Sequence, residues 1–199
     1  MQKTTASSVP SYRGALVRLV FAGIMLALAM YLPFLTGQIP AVGAMLSPMH
    51  IPAFLTGFVC GPVYGLVVGA VSPLLRSLIL GMPPLFPTAA AMAFELAAYG
   101  VFAGLLTKLL PRKPGFVYVS LVVSMLAGRA VWGVVMFAFS AFFNISFGVD
   151  KFLTGAFISA WPGIVLHLII IPPVVIALRK AASAAGIDAA PSAKAAAGK

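Results

Sequence analysis

Acidic residues are nearly missing: Asp and Glu together number three in 199 residues, and charged residues of every kind make up 8%. Soluble domains carry about a quarter charged residues. With 62% of the chain hydrophobic and a mean hydropathy of +1.10, a water-soluble globule and a disordered chain are both excluded. The same scarcity removes whole classes of enzyme. Glu95, Asp150 and Asp188 cannot assemble a carboxylate-dyad hydrolase or a di-metal site. HExxH, GxSxG, a P-loop and paired intramembrane aspartates are absent. Cys60 is the only cysteine, so no internal disulfide can form. With His50 and His167 the only histidines, no metal-ligand cluster is visible either. Cys60 reads as a small apolar packing residue. The chain is expected to be no enzyme and to hold no metal or cofactor of its own.

What is present is a series of long unbroken apolar runs. Barrel strands alternate polar and apolar residues, so helices are the expected spanning elements. About six segments are long enough, or nearly so, to cross a hydrocarbon core of roughly 30 Å. The first runs from Gly14 to Leu35; it is too long for a signal peptide and no clean cleavage site follows. Pro48 to Leu80 as one helix would be roughly 50 Å long. Gly61-Pro62 supplies a helix stop and a new first-turn proline, which splits it into two short helices. Gly57, Gly61, Gly65 and Gly69 recur there at every fourth position, a pattern that allows close backbone approach. Further segments run from near Pro87 to near Leu109 and from Phe116 to about Ser140. The last ends at Ala177 and begins either near Leu153 or at Pro162, with a bend expected at Pro172-Pro173. The expected fold is an all-α membrane protein, a six-transmembrane-helix bundle over 14–180. A cytoplasmic tail, 1–13, precedes it and a disordered cytoplasmic tail, 181–199, follows.

A net charge of +10 raises the question of a nucleic-acid partner. The cations sit in the termini and one short loop, which is how orientation is encoded in membrane proteins, so the lipid bilayer and not nucleic acid is the expected partner. With both termini cytoplasmic, the inside collects Lys3, Arg13, Arg18, Lys108, Arg112, Lys113, Arg179, Lys180, Lys194 and Lys199. The outer loops collect only Lys151.

Ionisable residues inside a membrane cost at least a few kcal/mol and are functional candidates for that reason. Arg76, Glu95 and Arg129 stand out, with His50 and Asn144 near the same outer edge. By helical rise, Arg76 lies roughly 6 Å, Glu95 roughly 12 Å and Arg129 roughly 16 Å from the outer ends of their helices. Glu95 can pair with either arginine, and an internal salt bridge that only locks the bundle is the plain alternative. Two arginines against one glutamate leave a positive charge for which a ligand carboxylate fits, because guanidinium binds it bidentately. The 81–87 stretch, Gly-Met-Pro-Pro-Leu-Phe-Pro, reads as a rigid apolar connection able to cap such a site. Tyr99, Trp132, Phe142, Phe143, Phe147 and Trp161 add aromatic surface, or else form an ordinary interfacial belt. His167 completes the set of candidate substrate contacts.

Helix 1 carries a small-xxx-small pair, Gly23 and Ala27, within AGIMLALA. With six apolar segments, both termini inside and a polar pocket near the outer face, the chain resembles the substrate-binding S component of energy-coupling factor (ECF) vitamin transporters. The most specific stretches are SPMHIPAFLTGFVCGPVYGLVVG and SPLLRSLILGMPPLFPTAAAMAFELAAYG, and the likeness covers roughly residues 14–180. It is similar to a branch commonly linked with pantothenate; cobalamin, folate or a queuosine precursor are the alternatives among small-molecule substrates. The resemblance implies a multi-pass protein of the bacterial cytoplasmic membrane that binds its vitamin tightly from outside and then topples. A transmembrane coupling subunit and two cytoplasmic ATPase subunits, which use the ATP, drive release. It also implies that Gly23 and Ala27 contact the coupling subunit, with glycine in place of the family's first alanine; a notch packed inside the bundle is the alternative. A ligand-free membrane scaffold, in which Arg76, Glu95 and Arg129 only pair with one another, is the competing function.

Overall fold

The computed structural model describes residues 11–36, 39–111 and 113–184. Lys3, Arg112, Lys194 and Lys199, counted above toward the inner face, lie outside the described residues, as do 1–10 and 185–199 of the expected tails. The elements in order are α1 (Ser11–Tyr31) with a tighter turn Leu32–Thr36, α2 (Pro40–Leu46), α3 (His50–Cys60) and α4 (Pro62–Leu80). After a wide turn Leu85–Ala89 come α5 (Ala90–Leu109), α6 (Pro114–Phe143), α7 (Val149–Leu153), a second wide turn Thr154–Ile158 and α8 (Trp161–Ala184). No strand occurs among the described residues.

Among the described residues five stretches are long and apolar enough to cross a membrane: Gly14–Leu35, Pro62–Leu80, Leu85–Leu109, Pro114–Phe143 and Val149–Ala184; α3 is a shorter apolar helix. Helix α6 runs three residues past the expected Ser140, and Asn144 ends it in the left-handed conformation that asparagine tolerates (φ 56°). Regular helix in the last segment begins at Trp161, nearer the Pro162 alternative, and continues through Arg179 and Lys180 to Ala184. Residues 181–184, expected in a disordered tail, are therefore its final turn. Helix α1 likewise takes in Ser11–Arg13. Pro172 and Pro173 lie inside a helix that continues past them.

The Gly61-Pro62 break is where the spacing places it. Gly61 closes α3 at φ 97° and Pro62 opens α4. The two arms lie against α5. A Cβ at Gly57 or at Gly65 would run into the backbone of Gly100, and one at Gly104 would meet the Gly61-Pro62 peptide. Gly69 approaches the backbone of Leu96 in the same way. The glycine repeat thus serves two helices closing on a third. Within α4, Pro73 leaves the Gly69 carbonyl without its helical donor, and the Ser72 hydroxyl reaches toward that oxygen at 3.5 Å.

The two ends of the bundle differ in charge. Cys60 Sγ donates to the Arg18 carbonyl, Lys108 flanks Gly61, and Arg179 donates to Thr107 Oγ1 at 3.2 Å. Arg18, Lys108 and Arg179 therefore share one end. At the other end Phe86, in the turn before α5, packs on Phe139 and Phe143 of α6.

Candidate functional site

Glu95 is fixed in the second turn of α5, 2% exposed. An ionised carboxylate at that burial needs a counter-charge and donors. Arg129 supplies the charge, its Nη1 2.8 Å from Glu95 Oε1. The Tyr99 hydroxyl, one turn along α5, donates to the same oxygen at 2.6 Å. Spacing of four residues places Glu95 and Tyr99 on one helix face. Gly128 makes the pairing across helices possible: a Cβ there would strike the Tyr99 ring, so its absence lets α6 close on α5 just where Arg129 follows.

The third wall is histidine. His50, the first residue of α3 and 4% exposed, has Nε2 3.7 Å from Glu95 Oε1, beyond hydrogen-bond length. Neither of its ring nitrogens has a hydrogen-bond partner among the described residues. His50 stacks on His167 of α8, with centroids 5.9 Å apart and an interplanar angle of 29°, and lies 5.3 Å from the Tyr99 ring. His167 Nε2 is 3.3 Å from the Ser47 carbonyl, which can only accept, so that nitrogen carries the proton. Four helices, α3, α5, α6 and α8, thus converge on one buried polar cluster.

The expected site residues divide accordingly. Glu95, Arg129, His50, Tyr99 and His167 come together, and Glu95 pairs with Arg129 rather than Arg76. Arg76 faces a different neighbour: it is 3% exposed, its Nη1 donates to the Met30 carbonyl near the end of α1, and its Cζ lies 5.1 Å from the centre of the Phe34 ring. Trp132 belongs to an aromatic group, 5.4 Å from Phe147 and stacked on Phe152 at 6.1 Å. Asn144 ends α6, and Trp161 opens α8 with 62% of its surface exposed. Arg129 sits at the midpoint of α6.

Sequence reasoning missed Phe54, which stacks on Tyr99 at 4.5 Å and closes the cluster from below His50. Its position four residues after His50 was the available signal. Gly23 and Ala27 lie on the exposed side of α1, and a Cβ at Gly23 would meet nothing within 4 Å. The notch is not packed inside the bundle. Among the described residues no group of three His, Cys, Asp or Glu could hold a metal ion.

The sequence model of the family described as ECF transporter, substrate-specific component, matches residues 17–177. No curated protein and no solved structure matches the chain. The match takes in every helix that builds the cluster, and the chain belongs to this family. It is therefore a membrane-embedded, substrate-specific subunit of an ECF transporter, a transporter subunit rather than an enzyme, serving a small-molecule substrate with ECF coupling and ATPase partners.

Proposed function

We propose that this subunit captures a vitamin carrying a carboxylate, with pantothenate the foremost candidate, at the Glu95 cluster. The observation that carries this reading is His50, buried beside an ion pair with neither ring nitrogen hydrogen-bonded among the described residues. A purely structural salt bridge does not need a second polar ring left without bonds, and burying one is costly unless a partner arrives. Glu95, Arg129, His50, Tyr99 and His167 are the proposed contacts, and Arg76, Trp132, Asn144 and Trp161 are assigned to the entrance. Arg129 offers a planar fork that matches a carboxylate. The aromatic faces of Phe54 and Tyr99 offer apolar surface for the rest of a small ligand.

In this reading the chain crosses the bacterial cytoplasmic membrane six times, α3 counting as a short crossing, with both termini inside. The cationic end with Arg18, Lys108 and Arg179 is then cytoplasmic by the positive-inside rule. The exposed Gly23–Ala27 face, flanked by exposed Leu16, Val20 and Ile24, is the contact for the coupling subunit, because small residues let another helix approach closely. ATP hydrolysis by the partner ATPases topples the loaded subunit and opens the site inward; this chain itself needs no cofactor.

Mass spectrometry of small molecules released from the detergent-purified protein tests the reading. Pantothenate in that extract supports it. Cobalamin, folate or a queuosine precursor would replace the vitamin, and an empty extract with no binding of any of these by calorimetry would favour a scaffold.

A further inference from the structure

The cluster is balanced in charge before any ligand enters. Glu95 contributes one negative charge and Arg129 one positive charge. The groups facing His50 are Glu95 and Tyr99 from α5, Arg129 from α6 and His167 from α8. On the helices packed against α3, Arg76 of α4 is turned to Met30 and Phe34 and Arg18 of α1 lies at the opposite end, beside Cys60 at the far end of α3 itself. A carboxylate ligand delivered here adds a second negative charge among buried side chains, and an unmatched buried charge is strongly unfavourable. His50 is the group able to cancel it. It is the histidine of the pair with no hydrogen bond to lose among the described residues, and an imidazole nitrogen can take up a proton.

We propose that this site takes up its substrate as a carboxylate together with one proton, which His50 receives from solvent. The proton sits on Nε2, which closes the present 3.7 Å gap to Glu95 Oε1 and makes a charge-assisted hydrogen bond. Glu95 is thereby neutralised by His50 instead of Arg129, and the Arg129 fork turns to the substrate carboxylate. Charge balances at each stage: one anion and one proton enter outside, and both leave when the site opens inward. The inference rests on the reading of this cluster as the substrate site. It goes further in making affinity depend on pH: uptake of one proton makes binding weaken as pH rises, by at most about tenfold per pH unit.

The test is titration calorimetry on the full-length protein in detergent, with sodium pantothenate as probe, in phosphate and in Tris at one near-neutral pH. The difference in heat between buffers gives the protons taken up. The wild type should take up close to one proton per pantothenate, and its affinity should fall with rising pH. The uncharged alcohol analogue of pantothenate should bind with no proton uptake. His50→Gln, checked by its melting temperature, should bind pantothenate more weakly, without proton uptake and with a flat pH profile. Pantothenate binding without proton uptake would overturn the coupling while leaving the site reading in place. Undiminished uptake in His50→Gln would overturn the assignment to His50. Proton uptake with the alcohol analogue would overturn the charge argument without calling on any variant. No heat with pantothenate in the wild type would sink the pantothenate reading, and the inference with it.

Discussion

Arg129 Nη1 lies 2.8 Å from Glu95 Oε1, tying the midpoint of α6 to the second turn of α5. The two helices need that bond because each charge alone would be stranded in the bundle. Glu95→Gln keeps the shape and removes the charge, leaving Arg129 without a counter-ion. It should cost about 3–5 kcal/mol of stability, the range for breaking a buried pair from one side. Combining it with Arg129→Met should restore most of that loss, because neither charge is then left alone. Thermal unfolding of the three variants in detergent measures both effects. A double variant no more stable than Glu95→Gln would mean the arginine is held by something other than the carboxylate.

The contrast between Glu95 and His50 shows what could be read along the chain. Glu95 announces itself, since a lone acid in an apolar run is legible from composition and periodicity. Its partner is not legible: Arg76 and Arg129 each lie within about a turn of the depth of Glu95 by helix rise, one above it and one below, and packing alone decides between them. The Gly61-Pro62 break was readable because glycine at a helix end and proline at a helix start are local chemistry. The meeting of His50 and His167, 117 positions apart in the sequence, depends on how α8 docks beside α3, which no local pattern encodes. Phe54 escaped notice because an apolar ring in an apolar helix carries no signal of its own. The final turn of α8 is not legible because the alanines after Lys180 resemble linker composition as much as helix.

Two glycines should respond in opposite ways to enlargement. Gly100 faces the backbone of both Gly57 and Gly65, so Gly100→Ala forces α3 or α4 away from α5. A loss of about 1–3 kcal/mol is expected, the usual cost of overpacking, and it should appear as a lower melting temperature. Gly23 meets nothing, so Gly23→Leu should leave melting temperature and vitamin binding unchanged. Uptake by cells and pull-down of the coupling subunit should nevertheless fail. Normal complex assembly by Gly23→Leu would remove this face from the coupling contact.

Orientation can be read with cysteines in a background where the buried Cys60 is replaced. Gly81, Ser146 and Lys113 are exposed positions in loops at opposite ends of the bundle. Cysteines at Gly81 or Ser146 should react with an impermeant thiol reagent added to intact cells, and one at Lys113 should react only after lysis. The reverse pattern would overturn the orientation argued from the positive-inside rule.

Arg76 gives the last test, because its surroundings combine a fold role with a candidate ligand role. Helix α1 ends at Tyr31, so the Met30 carbonyl is among those lacking a helical partner. Arg76 donates to it, placing a positive charge at the negative end of the α1 dipole, and stacks over Phe34 in the turn that follows. No carboxylate pairs with Arg76 among the described residues. Arg76→Ala should therefore loosen the outer end of α1 from α4 and cost about 1.5–3 kcal/mol, the range for a hydrogen bond from a charged group. Arg76→Lys should recover only part of it, since an ammonium can reach the carbonyl but cannot lie flat on the ring. Calorimetry with the co-purified vitamin separates the two roles. Lower melting temperature with affinity within a few-fold of wild type assigns Arg76 to holding α1. An affinity loss of about tenfold or more with the melting temperature held, equivalent to about 1.4 kcal/mol, makes it a substrate contact at the entrance.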